Sequence, residues 1–139
     1  MELSRREVLG VAAGGLALAL VAPAARASAA DDVIAKFTGG AAMGSGGVTL
    51  TAPEIAENGN TVPISVDAPG AVSVLILAPS NPTPAVCTFN FGPMAASQKA
   101  ATRIRLAKTQ DVTAVVKMAD GSFKKAVAHV KVTVGGCGG

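Results

Sequence analysis

The chain has no tryptophan and no tyrosine, four phenylalanines, one histidine and two cysteines among its 139 residues. Each shortage closes a class of function. Nucleic-acid binding has no footing here, because there are few aromatic platforms for bases to stack on and the formal charge is only +3. A single histidine cannot supply the pair that a blue-copper centre needs beside its cysteine. No Cys-x-x-Cys occurs, which excludes thioredoxin-like dithiol chemistry. Any Ser/His/Asp or Cys/His nucleophile arrangement would have to draw on His129 alone. Long hydrophobic runs are also missing: the apolar stretch from Val11 to Ala22 is rich in Ala and Gly and is stopped by Pro23. That is short of the ~20 residues of a membrane-spanning helix. No metal site or cofactor motif emerges from these residues.

What is present begins with an address. Ser4-Arg5-Arg6-Glu7-Val8-Leu9-Gly10 precedes the apolar run, and small residues follow at Ala25-Arg26-Ala27 and Ala27-Ser28-Ala29. A charged start, a short apolar run and an Ala-x-Ala exit make a secretory signal peptide. Paired arginines directly before the run mark the twin-arginine type, by which bacteria export folded proteins. Residues 1–29 are therefore expected to be removed, with cleavage after Ala27 or Ala29, and the mature protein is expected in the periplasm. Export in the folded state suggests a component acquired in the cytoplasm, and in the absence of a cofactor motif a protein partner is the better candidate. Removing Arg5, Arg6, Arg26, Glu2 and Glu7 leaves nine Lys/Arg against seven Asp/Glu, a mature charge of +2. No membrane role is expected after signal removal.

The apolar content of the remainder is carried by Ala and Val, small and β-branched residues that favour strands. Asp31-Asp32-Val33-Ile34-Ala35-Lys36-Phe37, followed by Gly39-Gly40, reads as a short helix. Its Val33, Ile34 and Phe37 share one side and should pack on the body. Gly44 to Gly47 read as a linker, after which the period changes to two. Strands are expected at Val48–Thr51, Thr61–Ala68, Ala71–Ala78, Ala85–Phe91, Lys99–Leu106, Val112–Met118 and Ser122–Val134. Pro63 marks the second as an edge or its own start. The third carries Val72-Ser73-Val74-Leu75-Ile76-Leu77, apolar on both faces, and should be central and covered on both sides. Asn58-Gly59, Pro69-Gly70 and Asp120-Gly121 are turn signals, and Pro79-Ser80-Asn81-Pro82-Thr83-Pro84 is a loop that cannot join a ladder. Residues 30–134 are thus expected to form an all-β, immunoglobulin-like β-sandwich of six to seven strands with a short N-terminal helix.

Three features of the body invite functional readings. Cys87 alternates with Phe89 and Phe91, and a cysteine sharing a face with two rings reads as a small buried hydrophobe. His129 lies on the same alternating face as Lys125 and Lys131 and reads as part of a solvated strand face. Arg103 and Arg105 share a face opposite Ile104 and Leu106. With Lys124, Lys125 and Lys131 they could attract an anionic substrate or an acidic partner, although an ordinary polar sheet face is the preferred reading.

The end of the chain is different in kind. Residues 135–139, Gly135-Gly136-Cys137-Gly138-Gly139, place a thiol among four glycines. Glycine has nothing to pack and loses the most backbone freedom on ordering, so these residues read as a flexible C-terminal arm. If Val134 ends the last strand, the sulfur of Cys137 can sweep roughly 10 Å from the body. Nothing fixed surrounds that thiol to activate it, and the terminal carboxylate two residues on disfavours the thiolate. Such a sulfur is suited to carrying rather than catalysing. A structural β-sandwich that homodimerises through a Cys137 disulfide is the alternative, and a redox enzyme using both Cys87 and Cys137, which would require Cys87 to be accessible, is a third reading.

The twin-arginine signal, the segment from Pro53 to Pro63 (PEIAENGNTVP), the Asn81-Pro82-Thr83-Pro84 loop and the terminal Gly-Gly-Cys-Gly-Gly together resemble the SoxY family. These are sulfur-carrier subunits of the bacterial thiosulfate-oxidising Sox multienzyme system. The resemblance spans the whole mature chain. It implies a heterodimer with a SoxZ-like subunit exported alongside, and no bound cofactor. It also implies covalent attachment of sulfur intermediates, as thiosulfonate or persulfide, at Cys137. Gly135, Gly136, Gly138 and Gly139 would let the arm enter narrow active sites during transient docking to haem-containing and hydrolase Sox enzymes. Cys87 has no part in that scheme.

Overall fold

The computed structural model describes residues 28–135; residues 1–27 of the expected signal peptide and Gly136, Cys137, Gly138 and Gly139 lie outside them. The chain opens with helix α1 (Ala29–Thr38), capped at both ends by its own sequence. Ser28 Oγ accepts the Asp31 N–H at 3.1 Å while the Asp31 carboxylate accepts the Ser28 N–H at 3.2 Å, a reciprocal capping box. Gly39, at φ 65°, takes the left-handed conformation that ends the helix. The helix starts two residues before the expected Asp31 because its cap, Ser28, belongs to a stretch that also reads as a signal exit.

Nine strands follow among the described residues: β1 (Met43–Gly44), β2 (Thr49–Thr51), β3 (Ile55–Ala56), β4 (Val62–Asp67), β5 (Ala71–Leu77), β6 (Ala85–Asn90), β7 (Lys99–Ile104), β8 (Gln110–Met118) and β9 (Phe123–Val132). The larger sheet runs β1-β9-β8-β5-β6, with β3 also paired to β9, and the smaller runs β2-β4-β7. The seven strands expected from the period of two are all present, and the two sheets form the expected sandwich. The additional strands β1 and β3 are two residues each and both run parallel to β9. Gly44 is therefore a paired residue, not linker, and the turn after Pro53 contains a strand.

The core lies between the sheets and is built from small side chains. Val62, Ile64 and Val66 of β4 and Ile104 of β7 meet Val74 and Ile76 of β5, Val112, Ala114 and Val116 of β8, and Val130 of β9. β5 is central and apolar on both faces as expected. Its Val74 and Ile76 enter the inter-sheet core, whereas Leu75 and Leu77, with Val115 of β8, turn outward onto a second apolar layer. That layer is supplied by Val33, Ile34 and Phe37 of α1 and by Met43. Phe37 also meets Phe123 edge-on, ring centres 6.0 Å apart.

Two local devices adjust the sheets. Pro63, second residue of β4, faces Arg103 of β7, but β2 pairs with β4 only from Ser65 onward. The missing proline N–H therefore costs no bond on the β2 side. At the β8–β9 turn, Ser122 donates its Oγ–H at 2.6 Å and its N–H at 2.9 Å to the Asp120 carboxylate. These bonds hold Asp120 below the usual carboxylate range. Their contribution is present above the ordinary carboxylate pKa and is lost as pH falls through the lowered one.

Leu77 is completely buried under α1, while Val127 on the same face of the sheet is 51 % exposed. Leu77→Ala should lower unfolding free energy by about 2–5 kcal/mol, and Val127→Ala should stay within about 0.5 kcal/mol. Urea titration of both variants checks the contrast.

Candidate functional site

The described chain ends at Gly135, and the route by which it gets there is closely held. β9 is paired to β8 through Gln110↔Val130 and, on its other edge, to β3 through Ile55↔Lys131 and Ala56↔Val132. The segment from Glu54 to Gly59 then stitches the exit residue by residue. The Lys131 N–H donates to Glu54 O at 2.9 Å and the Thr133 N–H to Ala56 O at 3.0 Å. The Thr133 hydroxyl donates to Glu57 O at 3.0 Å, and the Gly59 N–H to Val134 O at 2.7 Å. Gly59 is buried, and its own carbonyl accepts the Leu106 N–H at 2.7 Å. One peptide segment thereby ties the ends of β9 and β7, strands of opposite sheets. From the β8 side, Thr109 Oγ1 accepts the Val132 N–H at 2.9 Å.

The 105–109 loop is fixed in turn by Asn81. Its Nδ2 donates to Arg105 O at 2.7 Å, and its Oδ1 accepts the Ala107 N–H and Gln110 Nε2, each at 2.9 Å. Gln110, 5 % exposed, also donates to Lys108 O at 3.2 Å and accepts the Ser80 N–H at 2.9 Å. The buried amide is thus satisfied at both its ends. Gly135 lies against this loop, where an added Cβ would run into the Ala107 carbonyl oxygen. Three segments far apart in sequence, from Pro53 to Pro63, around Asn81 and around Ala107, therefore converge where the chain leaves the sandwich.

Around this end the exposed side chains are mixed in charge: Arg103, Arg105, Lys108 and Lys131 beside Glu54 and Glu57. Arg103 and Arg105 share an outward face opposite buried Ile104 and Leu106, as the alternation predicts. On the outer face of the larger sheet, His129 Nδ1 lies 2.6 Å from Asp111 Oδ1, its cross-strand partner. Both are exposed, and they line a shallow hollow of about 430 Å³ with Ser80, Thr113, Lys125 and Val127. The sequence placed His129 correctly on a solvated face but could not foresee Asp111, because that pairing depends on register. Among the described residues no group of three or more His, Cys, Asp or Glu side chains could hold a metal ion. Among them, too, no helix is long and apolar enough to cross a membrane.

The profile for "sulfur oxidation protein SoxY" matches residues 34–137, a span that ends on Cys137. The chain belongs to the SoxY family. It is similar in structure to the sulfur carrier protein SoxY from Chlorobium limicola f thiosulfatophilum, with TM-score 0.66 and 37% identity, covering 75% of this chain and 96% of that one. Superoxide reductase (neelaredoxin) from Ignicoccus hospitalis also matches, with TM-score 0.51 and 15% identity, over 63% of this chain and 80% of that one. At that identity the likeness is of fold alone. No curated protein matches the chain.

In this SoxY-family chain, Cys137, Gly136, Gly138 and Gly139 lie outside the described residues, and Gly135 is the one arm residue that the structure places. Cys87 is a free thiol on β6, an edge strand, half-buried with Phe89 and Phe91 against the main core. Burial pushes its pKa up, since desolvation penalises the thiolate. The sequence missed Gly59, Thr109 and the Asn81–Gln110 pair as determinants of the exit. Asn58-Gly59 reads as an ordinary turn, and only the fold shows that its peptide groups face two strands.

Asn81→Ala removes the partner of the part-buried Ala107 N–H, at a cost of roughly 1–3 kcal/mol for that unsatisfied group. Urea unfolding should show the loss, and hydrogen exchange should show it concentrated at Ala107. Cys87 gives the pH-dependent case. In a Cys137→Ser background, its alkylation in native protein should have a midpoint above that of the urea-unfolded chain. By linkage, the stability associated with protonated Cys87 is present below the unfolded pKa and declines as pH rises toward the higher folded one. An equal midpoint in both states would contradict the burial of this thiol.

Proposed function

We propose that this protein is a covalent carrier of sulfur intermediates in inorganic-sulfur oxidation, with Cys137 as the attachment point and no turnover of its own. The observation that carries the reading is that the family match runs from α1 to Cys137. The 37%-identical structural relative is itself named a sulfur carrier protein. The geometry is in keeping with it: the end of the last strand is tied down on both edges, and the described chain is held as far as Val134, three residues before Cys137.

The chemistry divides between the chain and the enzymes that receive it. The Cys137 thiol and thiosulfate join through a new S–S bond, releasing one proton and two electrons to a haem-containing partner. The product is a cysteine S-thiosulfonate. Water then cleaves the S–S bond to the sulfonate in a hydrolase, giving sulfate, one proton and a cysteine persulfide. Each step needs the sulfur to enter another protein's site. The chain's own contribution is attachment, reach and a small cross-section, and side chains beside Cys137 would obstruct all three. Cys87 stays apart, with its thiolate disfavoured.

The working unit in this proposal is a heterodimer with a SoxZ-like subunit, exported by the twin-arginine pathway to the periplasm. The capping box bears on processing. Cleavage after Ala27 leaves Ser28 in place to cap α1, whereas cleavage after Ala29 removes it, which favours Ala27.

The test is reconstitution of thiosulfate-dependent electron transfer in a periplasmic extract lacking this protein. Added wild-type protein and Cys87→Ala should restore the activity, and Cys137→Ser should leave it at background. Restoration by Cys137→Ser would overturn the proposal, and a Cys137-linked homodimer as the sole species would favour a structural role.

A further inference from the structure

The arm reads in the sequence as five equivalent mobile residues, but the structure places the first of them, Gly135, against a loop of the body. We infer that Gly135 is the fixed root of the arm, a positioning residue, and that the swing of Cys137 begins only at Gly136. The inference rests on the carrier reading for its purpose, but not for its geometry.

The argument is one of close approach. A Cβ at position 135 would collide with the Ala107 carbonyl oxygen, a backbone atom that cannot rotate out of the way. Neither side can retreat. Ala107 is held by its N–H to Asn81 Oδ1, and the preceding Leu106 is fully buried with its N–H on Gly59 O. On the other side, Val134 is held through its carbonyl by the Gly59 N–H at 2.7 Å. Gly135 thus sits between a tethered residue and a tethered loop. The glycine there is required by the space available, whereas backbone freedom is the usual reason for a glycine in a tail.

The consequence is a shorter tether. Counted from Gly135, Cys137 has two residues of reach, about 7 Å, in place of the roughly 10 Å that three residues from Val134 would allow. The volume swept falls to roughly a third, which raises the local concentration of the sulfur in front of the body by the inverse factor. A receiving active site must then accept the platform made by Gly59, Ala107 and Val134 to within that distance. The partner reads the end of the body as well as the arm.

Two measurements test this without using sulfur chemistry. In wild-type protein, amide hydrogen exchange should show Gly59 protected and Gly136 unprotected. In a Cys87→Ala, Thr88→Cys background, nitroxides on positions 88 and 137 report the distance distribution of the arm. Gly135→Ala should abolish protection at Gly59 and broaden that distribution, and Gly136→Ala should do neither. Rapid exchange at Gly59 in the wild type, or identical behaviour of the two alanine variants, would overturn the inference. If Gly135→Ala does not fold, the wild-type exchange pattern decides alone. Failure of the carrier reading would appear as absent adducts on Cys137 and would leave these results unchanged.

Discussion

The structure depends on how the two ends of the free edge of β9 are closed. A final strand with one unpaired edge would expose a row of backbone donors and acceptors and would leave its end free to fray. Here β1 pairs with its beginning and β3 with its end, each parallel and each two residues long. The bonds from Glu54, Ala56 and Gly59 then follow the chain beyond the last strand residue to Val134. Everything downstream inherits that constraint. The exit point of the chain is set by the sandwich, the sandwich is locked across its sheets by Gly59, and the 105–109 loop is braced by Asn81.

The same closure divides labour in the molecule. The core, made almost wholly of Val, Ile, Leu and Ala, sits between the sheets. A second layer under α1, made from none of the exit residues, covers the apolar outer face of β5 and β8. The place where the chain leaves shares buried Ala56, Leu106 and Val130 with the main core and is otherwise held by backbone hydrogen bonds and the Asn81–Gln110 amide pair. Polar wiring of this kind specifies a position more than it adds free energy, because each bond replaces one to water. A carrier with Cys137 as its attachment point, as proposed, is served by such a defined exit. His129, the one histidine in the sequence, is paired with Asp111 on the outer face.

Much of this was readable from the residues. The alternation of Val62, Ile64 and Val66, the two-faced run of β5 and the Asp120-Gly121 turn located the sandwich. Asp31 and Gly39 bracketed the helix, although its true cap, Ser28, was hidden in a stretch that also reads as a cleavage site. The unreadable parts share a cause. β1 and β3 are too short to show a period, and what makes them strands is a neighbour about eighty residues away in sequence. The Asp111–His129 pair depends on register, and Gly59 looks like a turn residue until two strand ends are placed beside it. Gly135 is the sharpest case. A sequence shows that a side chain is missing, but only a neighbouring carbonyl shows whether it is missing for freedom or for space.

The central claim, that sulfur travels on Cys137, is tested most directly by intact-protein mass spectrometry of the protein isolated from thiosulfate-oxidising cells, with and without reductant. The account predicts sulfur-containing adducts that map to the C-terminal peptide, disappear on reduction and are absent from Cys137→Ser. A Cys137 thiol that stays unmodified during thiosulfate oxidation, or adducts that map to Cys87, would contradict it.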